Sequence, residues 1–228
     1  MSPGPARRSV QIESDGPEFT QDLGRALGRA LRAGDTVLLD GPLGAGKTCL
    51  TRGLAEGLGL EPRQVSSPTF VIVNRYEQPG PGVARIDATP LCHVDAYRLG
   101  GAEDLETLGW DRVADGSSVV VIEWAARLAD AASADPVATA RVTLEPTGDD
   151  RRRLVIDVPA HWLERRNAEA LSRLLEGERC RVCGRPLPAG GGLGPFCGER
   201  CRDADLGGWL TGRYVVPGQS GSADPDAP

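Results

Sequence analysis

Aromatic side chains and long apolar runs are both scarce in this chain of 228 residues. Phe, Trp and Tyr make up 4% of the sequence, whereas hydrophobic residues of all types make up 40%, so we expect a core built mainly of Leu, Val, Ala and Ile. No apolar run approaches the roughly 20 residues that a membrane-spanning helix needs, and residues 1–16 lack the apolar segment of a secretory signal peptide. We therefore expect a cytoplasmic protein with no membrane partner.

Positive charge is not in excess either. The net charge of −6 argues against a chain that coats nucleic acid as a whole. Basic clusters at 151–153 and 165–166 are short, and such clusters are more often solvated surface than nucleic-acid sites. The length is enough for one α/β domain with an appendage.

A phosphate-binding pattern, G-x-x-x-x-G-K-S/T, stands at residues 41–48, which read GPLGAGKT. An apolar strand-like run (36–40) precedes it and a helix-like segment (47–58) follows it, which is the context that the motif requires. Glycines turn backbone N–H groups towards phosphates, and the helix N-terminus adds its positive dipole end. We expect Lys47 to contact the β- and γ-phosphates and Thr48 to offer its hydroxyl to Mg²⁺. The predicted contacts to ATP or ADP are Gly41, Gly44, Ala45, Gly46, Lys47, Thr48 and Cys49.

Two strand-like segments end in acidic residues. The run LCHVD ends at Asp95, and the run VVVIE ends at Glu123. Ligands of doubly wound sheets bind at the carboxyl ends of the strands, so we expect one carboxylate to hold Mg²⁺ directly and the other to act through a water. The alternative for each is a solvated carboxylate at a strand end. His93 lies on the same strand face as Asp95, where it either touches the site or packs in the sheet.

The segment Ser66–Thr69 precedes another strand-like run, 71–76. Its hydroxyls could form a switch-like loop that senses the γ-phosphate. A plain turn before a strand is the alternative.

The remaining periodicity predicts an α/β fold, a mixed sheet of the P-loop NTPase type flanked by helices. Strand 71–76 should lie antiparallel to the strand that ends at Asp95, because a Pro/Gly turn (78–83) separates them. The other predicted elements are an edge strand at 9–13, helices at 17–33 and 102–108, strands at 140–144 and 154–158, and helical spacing over 162–175.

The ordered motifs resemble those of the bacterial TsaE family, the ATPase of tRNA threonylcarbamoyladenosine biosynthesis. The similarity covers about 9–159 and rests on residues 41–48, 67–70, 93–99, 108–109 and 122–124. Pro42 stands where the family motif has aspartate, at a free position of the pattern. The resemblance implies an ATPase that acts with the proteins TsaB and TsaD. Those partners transfer a threonylcarbamoyl group to an adenosine next to the tRNA anticodon, so contact with tRNA is expected to be indirect.

The resemblance also implies roles for individual residues. Lys47 and Thr48 match the residues for phosphate and Mg²⁺, Glu123 matches the metal-binding glutamate, and Asp95 matches the Walker-B-like aspartate. Thr69 matches the switch-like threonine, and Trp124 follows the metal-site glutamate. The implied catalytic set is Lys47, Thr69, Asp95 and Glu123, with Mg²⁺ at Thr48, Asp95 and Glu123. Adenine contacts are expected near 17–20 and 151–153.

Four cysteines form two close pairs late in the chain, Cys180 with Cys183 and Cys197 with Cys201. Disulfides are not expected in a reducing compartment. Two short pairs suit a tetrahedral Zn²⁺, and four sulfur ligands indicate a structural site. Unrelated reduced cysteines are the alternative. Because this segment has little core of its own, zinc would supply most of its folding energy.

This tail resembles the YacG family, small zinc proteins that bind and inhibit DNA gyrase. The motifs that carry the resemblance are 180–184, 195–201, 205–209 and 214–217. The chain is therefore interpreted as a fusion. The predicted division is a flexible N-terminus (1–8), a P-loop ATPase domain (9–160), a linker helix (161–178), a small zinc module with four cysteine ligands (179–217) and a disordered tail (218–228).

Two other functions fit part of the sequence. A small P-loop kinase would share the phosphate loop, but kinases of that kind use an arginine-bearing lid, and no lid insertion is evident. A zinc-module binding protein regulated by nucleotide would use the phosphate loop without turnover.

Overall fold

The computed structural model describes residues 5–77, 88–101, 103–104, 109–128, 137–178, 180–182, 187 and 195–210. A seven-stranded mixed sheet in the order β1-β7-β6-β2-β5-β4-β3 forms its centre. The strands are β1 Arg7–Ser14, β2 Thr36–Asp40, β3 Val73–Tyr76, β4 Leu91–Asp95, β5 Val119–Glu123, β6 Thr139–Pro146 and β7 Arg152–Pro159. The helices are α1 Pro17–Ala30, α2 Lys47–Gly57, α3 Trp110–Val113, α4 Glu169–Leu175 and α5 Glu199–Leu210. Among the described residues, none of the helices combines the length and the apolar character that a bilayer span demands.

The middle of the sheet is parallel and its two flanks are antiparallel. Strand β2 runs parallel to both β5 and β6, and β4 runs parallel to β5. Every residue of β4 and β5 is buried, which is why these strands read as apolar runs without alternation. Consequently the carboxyl ends of β2, β4 and β5 meet at one edge of the sheet. The outer pairs, β1 with β7 and β3 with β4, are antiparallel, as predicted for strand β3.

Helices α1 and α2 touch through their backbones. A Cβ added at Gly24 would stand 2.3 Å from the Leu50 carbonyl oxygen, and one added at Gly53 would stand 2.0 Å from the Gln21 carbonyl oxygen. Only glycine permits an approach this close. The helix that follows the phosphate loop is thereby fixed against α1.

The chain beyond β7 returns to the core of the sheet. Trp162, Leu171 and Leu174 are buried in the same apolar cluster as α1 and the central strands. Arg165 forms an ion pair with Asp35, the residue directly before β2, and its Nη1 also donates to the Ala30 carbonyl at 2.9 Å.

Several predicted elements differ from the structure in their extent, and the helix predicted over 17–33 ends at Ala30 because Leu31 is extended (ψ 153°). The helical spacing over 162–175 is divided into a 3-10 turn, Ala160–Glu164, and α4, because Arg165 is extended (ψ 145°) where it turns to reach Asp35. Strand β3 begins at Val73 and not at residue 71, since Ile72 lies in the left-handed region (φ 69°). Most of the predicted helix at 102–108 lies outside the described residues, as do 1–4 and 211–228. The domain boundaries stay a prediction.

Candidate nucleotide and metal sites

The phosphate loop lies between β2 and α2, as its sequence predicts. Three of its glycines, Gly41, Gly44 and Gly46, have φ values of 145°, 78° and 104°, a region that side chains rarely adopt. A Cβ on Gly41 would also meet the Leu144 carbonyl oxygen at 2.3 Å. The loop is therefore closed against β6, and α2 begins directly behind it at Lys47.

Lys47 is folded into the loop that precedes it. Its side chain is buried, and Nζ donates to the carbonyl oxygens of Gly41 at 2.6 Å and Pro42 at 2.9 Å. The same ammonium stands 3.7 Å from the ring centroid of Trp124. Burial lowers the pKa of Lys47, while the charges of Glu123 and the neighbouring carboxylates oppose that change. A positive group is thus held at the mouth of the loop.

Thr48, Glu123 and His93 form a short chain of hydrogen bonds that leads from the half-buried Thr48 hydroxyl into the sheet. The Thr48 hydroxyl donates to Glu123 Oε1 at 2.9 Å, and His93 Nε2 lies 2.9 Å from the same oxygen. Glu123 and His93 are buried. The structure thereby joins the predicted hydroxyl ligand and the predicted metal-site glutamate, and it brings His93 into the site as well as into the sheet.

Asp95 lies beside Glu123, since the two residues pair across β4 and β5. Its Oδ2 accepts hydrogen bonds from the hydroxyls of Ser67 at 2.8 Å and Thr69 at 2.7 Å, and its Oδ1 accepts one from the Tyr97 backbone N–H at 3.0 Å. The segment before β3 is therefore tied to a strand-end carboxylate. That arrangement fits the switch-like alternative better than a plain turn.

Trp124 is held in an unusual backbone conformation directly after Glu123. Its φ is 61°, which costs a residue with a side chain about 1–2 kcal/mol. Its ring packs 5.0 Å from that of Tyr97, and the Arg127 guanidinium stands 5.1 Å from the Tyr97 ring. The strained turn places the indole against the Lys47 ammonium.

The segments expected to contact adenine meet on the other side of the loop. Arg152 Nη1 donates to the Thr20 hydroxyl at 3.4 Å, and a Cβ built on Gly46 would stand 3.0 Å from that nitrogen. The Cys49 thiol donates to the Pro17 carbonyl at 3.1 Å. Burial raises the pKa of Cys49, so its thiol is a poor nucleophile at neutral pH.

Three of the four predicted zinc ligands converge in the tail. The Sγ atoms of Cys180, Cys197 and Cys201 all lie within 4.8 Å of one another, and those of Cys197 and Cys201 are 3.5 Å apart. Sulfurs around a tetrahedral Zn²⁺ stand about 3.8 Å apart, given Zn–S distances of about 2.3 Å. The thiol set and its spacing therefore fit a structural zinc ion. Cys183 lies outside the described residues.

Sequence reasoning missed some of the groups that complete the site. The Tyr97 backbone N–H holds Asp95 without any signal in the sequence, and Ser67, predicted as part of the switch-like segment but not of the catalytic set, binds Asp95 together with Thr69. His93 gave a signal in its spacing from Asp95, which left its role open. Trp124 gave a signal only as the residue after Glu123.

Comparison with family models divides the chain at about residue 178. Residues 14–154 match the model described as "Threonylcarbamoyl adenosine biosynthesis protein TsaE". Residues 178–227 match the model described as "DNA gyrase inhibitor YacG". The two matches agree with the fusion that the motifs predict.

Curated relatives carry the name tRNA threonylcarbamoyladenosine biosynthesis protein TsaE. The Streptomyces coelicolor protein is 53% identical over 105 residues, which are 46% of this chain and 66% of that relative. The Bacillus subtilis protein is 36% identical over 60% of this chain and 78% of its own length. The Treponema pallidum protein is 36% identical over 64% of this chain and 99% of its own length.

A solved structure has the same fold. The crystal structure of Bacillus subtilis YdiB superposes with a TM-score of 0.52 and 26% identity, covering 75% of this chain and 96% of YdiB. The chain therefore belongs to the TsaE family of threonylcarbamoyl adenosine biosynthesis proteins, and its C-terminal segment matches the YacG family.

Proposed function

We propose that this chain is a Mg²⁺-dependent ATPase that acts in tRNA threonylcarbamoyladenosine biosynthesis in the cytoplasm. The observation that carries the proposal is the hydrogen bond from Thr48 to Glu123, formed at the end of a phosphate loop whose glycines are in the required conformation. A hydroxyl and a carboxylate whose oxygen atoms lie this close together are suitable oxygen ligands for one Mg²⁺ ion. When bound, the ion would neutralise charge on the β- and γ-phosphates.

The residues around Thr48 and Glu123 have distinct roles in the proposed reaction. With nucleotide bound, Lys47 would exchange its loop carbonyls for phosphate oxygens, and Glu123 and Thr48 would hold the metal. Asp95 would act beside the metal, and Thr69 would connect Asp95 to the loop proposed to sense the γ-phosphate. Arg152 and Thr20 border the adenine side.

We further propose that TsaB and TsaD are its partners and that the threonylcarbamoyl transfer takes place on them. Two loops that border the site present large apolar side chains to solvent, with Leu43 89% and Phe70 88% exposed. Exposed apolar groups of this size favour contact with a protein. Phe70 directly follows Thr69, so a partner at this position would act on the switch-like loop and only indirectly on tRNA.

The zinc module supports a second, separate function. The YacG match and the three converging thiols favour a zinc-dependent contact with DNA gyrase. A supercoiling assay with the full chain and its Cys197→Ser variant tests this. Inhibition of gyrase by the parent alone supports the contact, and equal behaviour of both proteins rejects it.

The ATPase proposal is tested by phosphate release with and without TsaB and TsaD. We expect stimulation by the partners, loss of turnover in Lys47→Ala and a severe reduction in Glu123→Ala. Asp149→Asn serves as control, because that carboxylate is exposed in a turn. Phosphate transfer to a metabolite in place of phosphate release would favour a kinase, and parent-like turnover by Glu123→Ala would reject the role given to Glu123.

The partner proposal is tested with Phe70→Ser. We expect the variant to bind ADP like the parent, since the Phe70 side chain faces solvent, and to lose most of the stimulation by TsaB and TsaD. Val137→Ser, at another exposed apolar side chain, is the control. Full stimulation of the Phe70 variant would exclude this loop from the contact.

A further inference from the structure

His93 lies in the middle of the sheet, yet its ring reaches the candidate metal site. It is the third residue of β4 and is 0% exposed. The ring contacts Glu123 through Nε2, while Nδ1 is buried and has no hydrogen-bond partner in the described part of the chain. Completely buried polar side chains in a sheet are usually satisfied at both ends. A buried histidine with only one hydrogen bond is therefore unusual, and the bond to Glu123 is the polar contact that can explain its position.

The hydrogen bond itself places the proton on the ring. Glu123 Oε1 also accepts the hydroxyl hydrogen bond from Thr48, and an ionised carboxylate oxygen can only accept. Nε2 must then be the donor. The geometry thus assigns the proton of this hydrogen bond to Nε2.

The two donors fix one carboxylate. The final torsion of a glutamate is broad and weakly restricted by itself. Here the Thr48 hydroxyl and His93 Nε2 both bind the same oxygen, from α2 and from β4. No hydrogen bond from the described residues reaches Oε2. That oxygen is left as an acceptor in a defined direction.

We propose that His93 is a positioning residue that orients the Glu123 carboxylate for the metal, an inference that rests on the function proposed above. The imidazole does not touch nucleotide or metal. It supplies the rigid donor that the flexible Thr48 hydroxyl cannot supply alone, since that hydroxyl is itself a candidate metal ligand. Donors of this kind behind a ligand typically affect metal affinity about 10–100-fold.

Two isosteric substitutions separate the donor from the bulk of the ring. The side-chain amide nitrogen of glutamine can occupy the place of Nε2, whereas that of asparagine falls near Nδ1. We expect His93→Gln to keep the Mg²⁺-dependent gain in ADP affinity within about threefold, and His93→Asn to reduce it at least tenfold. Binding of ADP without Mg²⁺ should stay parent-like in both variants. Cys92→Ala, a buried change on the opposite face of the same strand, is the matched control for damage to the sheet.

A second measurement uses the parent protein only. The chain has two histidines, so nitrogen-15 histidine spectra contain two rings, and His161→Gln assigns them. We expect the His93 signals to show a proton on Nε2. A proton on Nδ1 and none on Nε2, or rapid exchange of the proton between the two nitrogens, would overturn the inference even if every His93 variant failed to fold.

The outcomes separate the inference from the function on which it rests. If Mg²⁺ does not strengthen ADP binding to the parent, the metal assignment fails and the role of His93 falls with it. If Mg²⁺ strengthens binding to the parent and to His93→Asn equally, only the positioning role is overturned. Equal losses in His93→Asn and Cys92→Ala would show general damage to the strand and would also reject it.

Discussion

At the scale of single residues, the site contains two carboxylates, Asp95 and Glu123, that each already accept hydrogen bonds from hydroxyl and N–H donors. One oxygen of Asp95 accepts hydrogen bonds from the hydroxyls of Ser67 and Thr69. The two hydroxyl oxygens are themselves 2.9 Å apart. Such a cluster behaves as a unit, because removing one hydroxyl changes the geometry of the other. The loop before β3 and the end of β4 should therefore respond together.

We predict that Ser67→Ala and Thr69→Val each lower ATP turnover, by about tenfold, with ADP affinity little changed. The double variant should lose less than the product of the single losses, because the two hydroxyls share one acceptor. Single-turnover hydrolysis and ADP titration measure both effects. Ser66→Ala is the control, since Tyr76 contacts the backbone of Ser66. Independent, multiplicative losses would contradict the shared role.

Local sequence signals indicated the candidate ligands of this site but not all of the groups that donate hydrogen bonds to them. Lys47, Thr48, Asp95 and Glu123 stand in strand–loop–helix and strand-end contexts that can be read along the chain. The bond from His93 to Glu123 depends on the register of β4 against β5, where His93 faces Val121 and reaches the glutamate diagonally. A single sequence does not specify that register, so the contact could not be predicted.

At the scale of elements, periodicity predicted most strands, whereas the breaks in the elements depend on distant contacts. Arg165 interrupts the helical spacing after β7 because Asp35, 130 residues earlier, binds its guanidinium. Strand β3 begins only at Val73, because the segment before it turns to place the Thr69 hydroxyl on Asp95, and the Ile72 backbone N–H donates to the Pro68 carbonyl at 2.6 Å. Both interruptions follow from tertiary partners that no local pattern contains.

The contact between α1 and α2 leads to a prediction about stability. Gly53→Ala and Gly24→Ala should each lower the free energy of unfolding, although alanine gains about 0.8–1.0 kcal/mol of helix propensity over glycine. The added methyl groups meet backbone carbonyls, which cannot move without separating the helices. Urea unfolding measures the change, with Gly148→Ala as control because its Cβ would meet only the Arg151 side chain, at 3.9 Å. Unchanged or increased stability in the helix variants would show that the helices separate easily.

At the scale of the whole molecule, the chain joins two parts that are stabilised in different ways. The part that matches TsaE has an extensive apolar core. The part that matches YacG brings together three thiols with a short helix, α5. A core and a metal respond to different treatments, which makes the two parts experimentally separable.

We predict that chelation of zinc unfolds the tail and leaves nucleotide binding intact. Metal binding supplies the folding energy of small thiolate sites, while the phosphate loop depends on the sheet. Circular dichroism and ADP titration before and after chelation measure the two responses, and Cys92→Ala controls for thiol chemistry outside the tail. Parallel loss of both signals would show that the two parts unfold as one cooperative unit.

The position of Lys47 has a consequence for the affinity of the phosphate loop. Its ammonium is buried, because it donates hydrogen bonds to the carbonyls of Gly41 and Pro42 and packs over the ring of Trp124. Phosphate must therefore compete with ligands that the protein itself provides. What the lysine adds to phosphate binding is the difference between its contacts with phosphate and its present contacts with the loop and Trp124, so, under the function proposed above, the net contribution of Lys47 to nucleotide binding is smaller than that of a free ammonium.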